Sequence, residues 1–101
     1  MAGKVVYDNG LGAVVAGSSN IVSVTNAAAG LWDVVFAHVS RTANVKRFLV
    51  QSHLALGDIG ACDGNAVTAI GADTITIRVN TRNTAGADAN KSFNVSFEEL
   101  G

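Results

Sequence analysis

The sequence predicts an all-β fold, a single antiparallel β-sandwich of about eight strands, jelly-roll or immunoglobulin-like. Three observations carry that prediction. The run Thr74-Ile75-Thr76-Ile77-Arg78-Val79-Asn80-Thr81 alternates polar and apolar without a fault, and Ser92-Phe93-Asn94-Val95-Ser96-Phe97 does the same. Strict period-2 alternation means a strand with one face in a core. Turn-forming Gly, Asn and Asp clusters punctuate the chain, and proline is absent, so these residues, which adopt positive φ cheaply, must make the turns. No stretch supports a helix of useful length. The alanine-rich segment 26–30 is too short to be stable alone, and 41–46 has room for a single turn.

Taken in order, strands are expected over 4–7, 12–16, 21–25, 31–37, 47–55, 66–70, 74–81 and 92–98. Asp8-Asn9-Gly10 and Asp63-Gly64-Asn65 read as hairpin turns. Gly17-Ser18-Ser19-Asn20, Gly57-Asp58-Ile59-Gly60 and Ala85-Gly86-Ala87-Asp88 read as loops. The inward faces give a candidate core of Val22, Val24, Trp32, Val34, Phe36, Phe48, Val50, Leu54, Ile75, Ile77, Val79, Phe93, Val95 and Phe97.

With 101 residues the chain is one domain, spanning 1–101. Hydrophobic residues make up 49% and charged residues 15%, against a usual charged share of about 25%. Two readings are open: part of the surface is hidden in an assembly, or small Ala and Gly residues inflate the apolar count. The net charge of −1 supplies no basic field for nucleic acid. The single cysteine, Cys62, excludes an internal disulfide. It could pair only with another chain, or it is a reduced apolar residue near a turn. Residues 1–7 lack the apolar core of a signal peptide. No apolar run reaches the roughly 18 residues of a membrane helix. The chain reads as made in a cytoplasm, or assembled there into something larger.

Strand 31–37 turns Trp32, Val34 and Phe36 to one face and Asp33 and Val35 to the other. Strand 47–55 is less one-sided, with Leu49, Gln51 and His53 opposite Phe48, Val50 and Leu54. Val35 and Leu49 are candidate subunit contacts, or ordinary scatter of exposed apolar residues. Arg41, Lys46 and Arg47 form the one basic cluster, able to grip an acidic patch on a partner or to sit in a solvated loop. His38 and His53 are the histidines.

No enzymatic constellation emerges. No serine sits in Gly-x-Ser-x-Gly. Cys62 has no neighbouring pattern that supports a nucleophile. Glu98 and Glu99 are adjacent on a strand and point to opposite faces. Gly10-Leu11-Gly12 lacks the third glycine and the helix of a dinucleotide turn. A metal site is not expected either, because close-spaced pairs such as Cys-x-x-Cys or His-x-His are missing. Asn90-Lys91-Ser92 and Asn94-Val95-Ser96 match the glycosylation sequon, a pattern that carries little without a secretion signal. No catalytic residue, metal or cofactor is predicted.

Two stretches resemble a known group. Gly30-Leu31-Trp32-Asp33-Val34-Val35-Phe36 is similar to the Gly-x-aromatic-x-Val-x-Phe strand of small β-sandwich modules in bacteriophage tail fibres and other virion surface proteins. Residues 81–95 resemble the closing hairpin of those modules, where a strand enters an Ala-Gly loop and returns as Phe-x-Val-x-Phe. The resemblance implies a structural or adhesive role, commonly in trimers, and carries over no catalytic residues. The chain departs from fibre proteins in lacking heptads or collagen-like triplets for a stalk. It therefore looks like a capsid decoration or cement protein that docks directly on the major capsid protein or another virion protein. The expected setting is a virion surface assembled in a host cytoplasm, with no nucleic acid or membrane partner and a homo-oligomer, a trimer first. The alternatives are a receptor- or glycan-binding fibre knob, and a bacterial adhesin or assembly subunit.

Overall fold

Alternate residues of each long strand turn inward, and two sheets close over them. The computed structural model describes residues 2–37, 48–71 and 73–99. These residues form β1 (Ala2–Asp8), β2 (Ala13–Val14), β3 (Ile21–Ala28), β4 (Leu31–Ala37), β5 (Phe48–Leu54), β6 (Ala61–Ile70), β7 (Thr74–Arg82) and β8 (Phe93–Glu99). Every pairing is antiparallel. One four-stranded sheet runs β2-β1-β8-β5 and the other β3-β4-β7-β6. The protein is thus all-β, with two antiparallel sheets packed together as a sandwich. Two sheets of this size and eight strands agree with a jelly roll in number. The constant-type immunoglobulin order does not occur, since there the last strand pairs beside the sixth, whereas here β8 lies between β1 and β5. Three within-sheet hairpins, β1-β2, β3-β4 and β6-β7, give the sandwich an order of its own.

The core is Val5, Trp32, Val34, Phe36, Ile75, Ile77, Val79, Phe93, Val95 and Phe97, all buried. Tyr7, Ile21, Val24, Val50, Cys62 and Val67 pack against it half-buried. Ring centroids of Trp32 lie 5.0 Å from Tyr7 and 5.2 Å from Phe93, and Phe36 and Phe97 meet at 4.9 Å. These tilted contacts set the rings edge to face, the arrangement their quadrupoles favour. The indole N–H of Trp32 donates to Thr81 Oγ1 at 3.0 Å, and the Thr81 hydroxyl donates to the Ala89 carbonyl at 2.6 Å. The largest side chain of the core therefore buries no unpaired polar atom.

Several expectations need correction. Val22 is 57% exposed, not core. Pairing shifts between Ile21 and Ser23, so Val22 falls on a bulge that breaks the alternation. Leu54 is half-buried, and the Phe48 side chain lies outside the described residues. Val5, not singled out in the sequence, is buried. Asp63-Gly64-Asn65 is not a hairpin turn. It lies inside β6, where the register against β7 shifts between Asp63 and Ala66, so the glycine marks a bulge. Cys62 consequently sits in a strand and not near a turn. Pairing in 12–16 is confined to Ala13 and Val14. The possible helical turn at 41–46 lies outside the described residues.

One corner joins the sheets. Ser19 bridges to Lys4 of β1, Asn20 accepts from the Ala37 N–H at 2.7 Å, and Ile21 pairs with Phe36 of β4. The chain changes sheets within these three residues. Asn20 makes the bend at φ +57, in the left-handed region that asparagine tolerates.

Candidate interaction surface

Antiparallel strands in this order bring four connections to one end of the sandwich: β1-β2, β3-β4, β5-β6 and β7-β8. Ser92 ties three of them together. Its hydroxyl accepts from the Asn9 N–H at 2.9 Å, its N–H donates to Asp58 Oδ2, and its carbonyl accepts from the Ala55 N–H at 3.0 Å. Asn90 ties in the fourth. Its Oδ1 accepts from the Gly30 N–H at 2.8 Å, and its side chain exchanges bonds with Asn26 at 3.1 and 3.2 Å. Asn83 closes the β7-β8 loop on itself, its Oδ1 accepting from the N–H groups of Ala85 and Ala87, each at 3.0 Å. These Asx-type bonds give the loops fixed shapes, so this end is preorganised and not a set of free tails.

Large apolar side chains project from it. Leu11, in the β1-β2 turn, is 80% exposed, Ile59 68% and Leu56 58%, the last two in the β5-β6 loop. Leu56 is the unusual one. It lies at φ +55 with Gly57 at +81, and the Asp58 N–H donates to the Ala55 carbonyl at 3.1 Å. Two successive central residues at positive φ are the pattern of a type I′ turn, which asparagine and glycine favour. A bulky residue there is a genuine outlier, costing roughly 1–2 kcal/mol. The exposed leucine gains no core contact to offset that cost.

The strands also expose Val14, Val22, Leu49 and Ile70, among polar side chains. The β4-β7 centre of one face carries Asp33, whose carboxylate takes two hydrogen bonds from Arg78, Nε to Oδ1 at 2.9 Å and Nη2 to Oδ2 at 3.0 Å. That carboxylate raises the Arg78 pKa further above its ordinary value, mainly through the hydrogen bond. Val35 lies on the same face, half-buried, paired with Ser23 and Thr76. Leu49 and His53 lie on the outer face of the other sheet, paired with Glu98 and Asn94. His53 Nε2 is 2.8 Å from Asn94 Nδ2, and Leu49 is 46% exposed. Val35 therefore stands on one side of the sandwich, with Leu49 and His53 on the other, and a single flat contact cannot use all three. Arg41, Lys46 and Arg47 lie outside the described residues, as does His38.

Leu11, Leu56 and Ile59 escaped the sequence reading because they lie in loops, where period-2 alternation assigns no face. The apolar residue beside each Gly was the available signal, in Leu11-Gly12, Leu56-Gly57 and Ile59-Gly60. Among the described residues, His, Cys, Asp and Glu form no group of three or more suited to a metal ion. No family model, curated protein or solved structure matches this chain.

Proposed function

We propose that this protein is a virion structural protein, a capsid decoration or cement protein that docks on the coat lattice through its loop end. The observation that carries the reading is Leu56, a leucine held exposed in a turn that disfavours it. Backbone outliers persist where the surroundings hold them and cluster at functional positions. Beside Leu11 and Ile59, Leu56 gives an apolar tip on a preorganised loop frame. Preorganisation lowers the entropy lost on binding. Docking would bury the three side chains and leave the sheet faces in water. Because only the assembled shell offers the receiving surface, binding stabilises the shell by mass action, and many copies in register multiply a weak single contact.

The glycan-binding knob has less support. Sugar stacking needs an exposed aromatic, and Trp32 is buried with the half-buried Tyr7 packed against it. The test is co-sedimentation with mature capsids of a phage that encodes this chain. Saturable binding, one copy or one oligomer per lattice site, is the expected result. Failure to sediment with mature shells refutes the proposal, and a glycan-array signal in its place would favour the knob.

A further inference from the structure

We infer that β3 is a self-pairing edge, along which a second copy of this chain docks antiparallel and joins two β3-β4-β7-β6 sheets into one. This goes beyond capsid docking and does not rest on it. A sheet edge presents unpaired N–H and C=O groups, and proteins blunt such edges with charge, proline, bulges or shortness. The four edges here differ in that respect. β2 has two residues. β6 carries Asp63 and shifts register between Asp63 and Ala66 and again between Val67 and Ala69. β5 lies beside β6, the two sharing a Ser52–Cys62 hydrogen bond. β3 and β5 are the long, uncharged edges; β5 has β6 of the other sheet against it, whereas β3, reading Ile-Val-Ser-Val-Thr-Asn-Ala-Ala, has its register shifts confined to its ends. Among the described residues no strand pairs with its outer side.

The register follows from the backbone. The Ala37 N–H donates toward the β3 side, to Asn20. Alternation then turns Val35 and Asp33 toward β3, where they face Ser23 and Thr25. Val24 and Asn26 therefore aim their backbone groups outward. A two-fold axis at Val24 pairs this residue with its own copy through two N–H···O bonds and sets Ser23 opposite Thr25 of the partner. In an isologous contact residue i meets residue j of the partner and j meets i, so like charges on the strand would be brought close to one another across the axis. β3 has none. Edges pair two at a time, and β2 is too short to receive a β3, so this contact makes a dimer and not the trimer of fibre modules.

The test is sedimentation velocity across a concentration series, with amide exchange read in parallel. The wild type is expected to dimerise, and the Val24 amide to gain protection with concentration while Ser23 and Thr25, already bonded to β4, do not. The double variant Ser23→Lys/Thr25→Lys puts lysines opposite each other twice and should weaken dimerisation about tenfold or more. A wild-type monomer at high concentration, a trimer, or a dimer whose Val24 exchange ignores concentration overturns the inference. Unweakened dimerisation of the folded double variant does so too. None of these results bears on capsid co-sedimentation, which tests the docking separately.

Discussion

Thr81 does two jobs with one oxygen. It accepts the Trp32 N–H and donates to Ala89, which fastens the β7-β8 loop over the aromatic cluster. Thr81→Val keeps the volume and strands both partners, so unfolding free energy should fall by about 1–3 kcal/mol for each buried group left unpaired. Trp32→Ala should cost about 3–5 kcal/mol through lost burial and a cavity. Urea unfolding checks both, and a near-neutral Thr81→Val would mean water replaces the hydroxyl. Gly30 makes a different demand. It sits at φ +73, and a Cβ there would run into the Thr81 carbonyl oxygen and reach within 2.8 Å of the Ala89 nitrogen. Gly17, at φ +93, has open space around it. Gly17→Ala should show only the conformational penalty of roughly 1–2 kcal/mol, and Gly30→Ala clearly more, because backbone atoms must move. Equal losses in thermal unfolding would show that the β7-β8 loop yields without cost.

Strands were legible where one face alone met the core. The run 31–37 was bounded correctly, as were the inner strands β7 and β8 to within a residue, because Trp32, Ile77 or Phe97 can face one way only. The edges were not. Val22 and the Asp63–Ala66 segment sit on bulges, where two residues oppose one and alternation loses its phase. Asp63-Gly64-Asn65 carries hairpin chemistry, yet the β7 edge continues past it and the strand pays for pairing with a bulge. The β5-β6 seam shows what such an edge does. Burial pushes the Cys62 thiol above its ordinary pKa, with Asp63 adding to the rise and the Ser52 hydrogen bond opposing it. The native state thus holds the proton more tightly than the unfolded chain. The resulting stability is intact below the ordinary thiol pKa near 9.0 and is lost as pH climbs past it toward the raised value. Wild type should therefore lose more stability than Cys62→Ala between about pH 8 and pH 10.5, the range spanning thiol titration. Alkylation of Cys62 in the folded protein near pH 8 should be slow and become rapid in urea. Equal alkaline losses in the two proteins would show that the seam opens before the thiol ionises.

At the scale of the molecule, stability and docking pull Leu56 in opposite directions, and that opposition is measurable. The sequence contained the loop end only as unplaced apolar residues beside glycines, since the hydrogen bonds that link Ser92 with Asn9, Asp58 and Ala55 reach across distant parts of the chain. Local pattern carries no record of such links. Once they are in place, Leu56 occupies the first central position of a turn whose second is Gly57, and Asn-Gly is the preferred pair there. Leu56→Asn should raise unfolding free energy by about 1 kcal/mol, since asparagine accepts positive φ and an exposed leucine gives up little contact. The same substitution should weaken capsid binding, and Leu11→Ser with Ile59→Ser should weaken it further without lowering the midpoint of thermal unfolding. A purely structural leucine predicts the reverse, lost stability with binding unchanged. A variant both more stable and equally well bound would move the docking surface away from the loop end and onto a sheet face, Leu49 and His53 on one side or Val35 on the other. Capsid binding and urea unfolding, measured on the same Leu56→Asn preparation, separate the three cases.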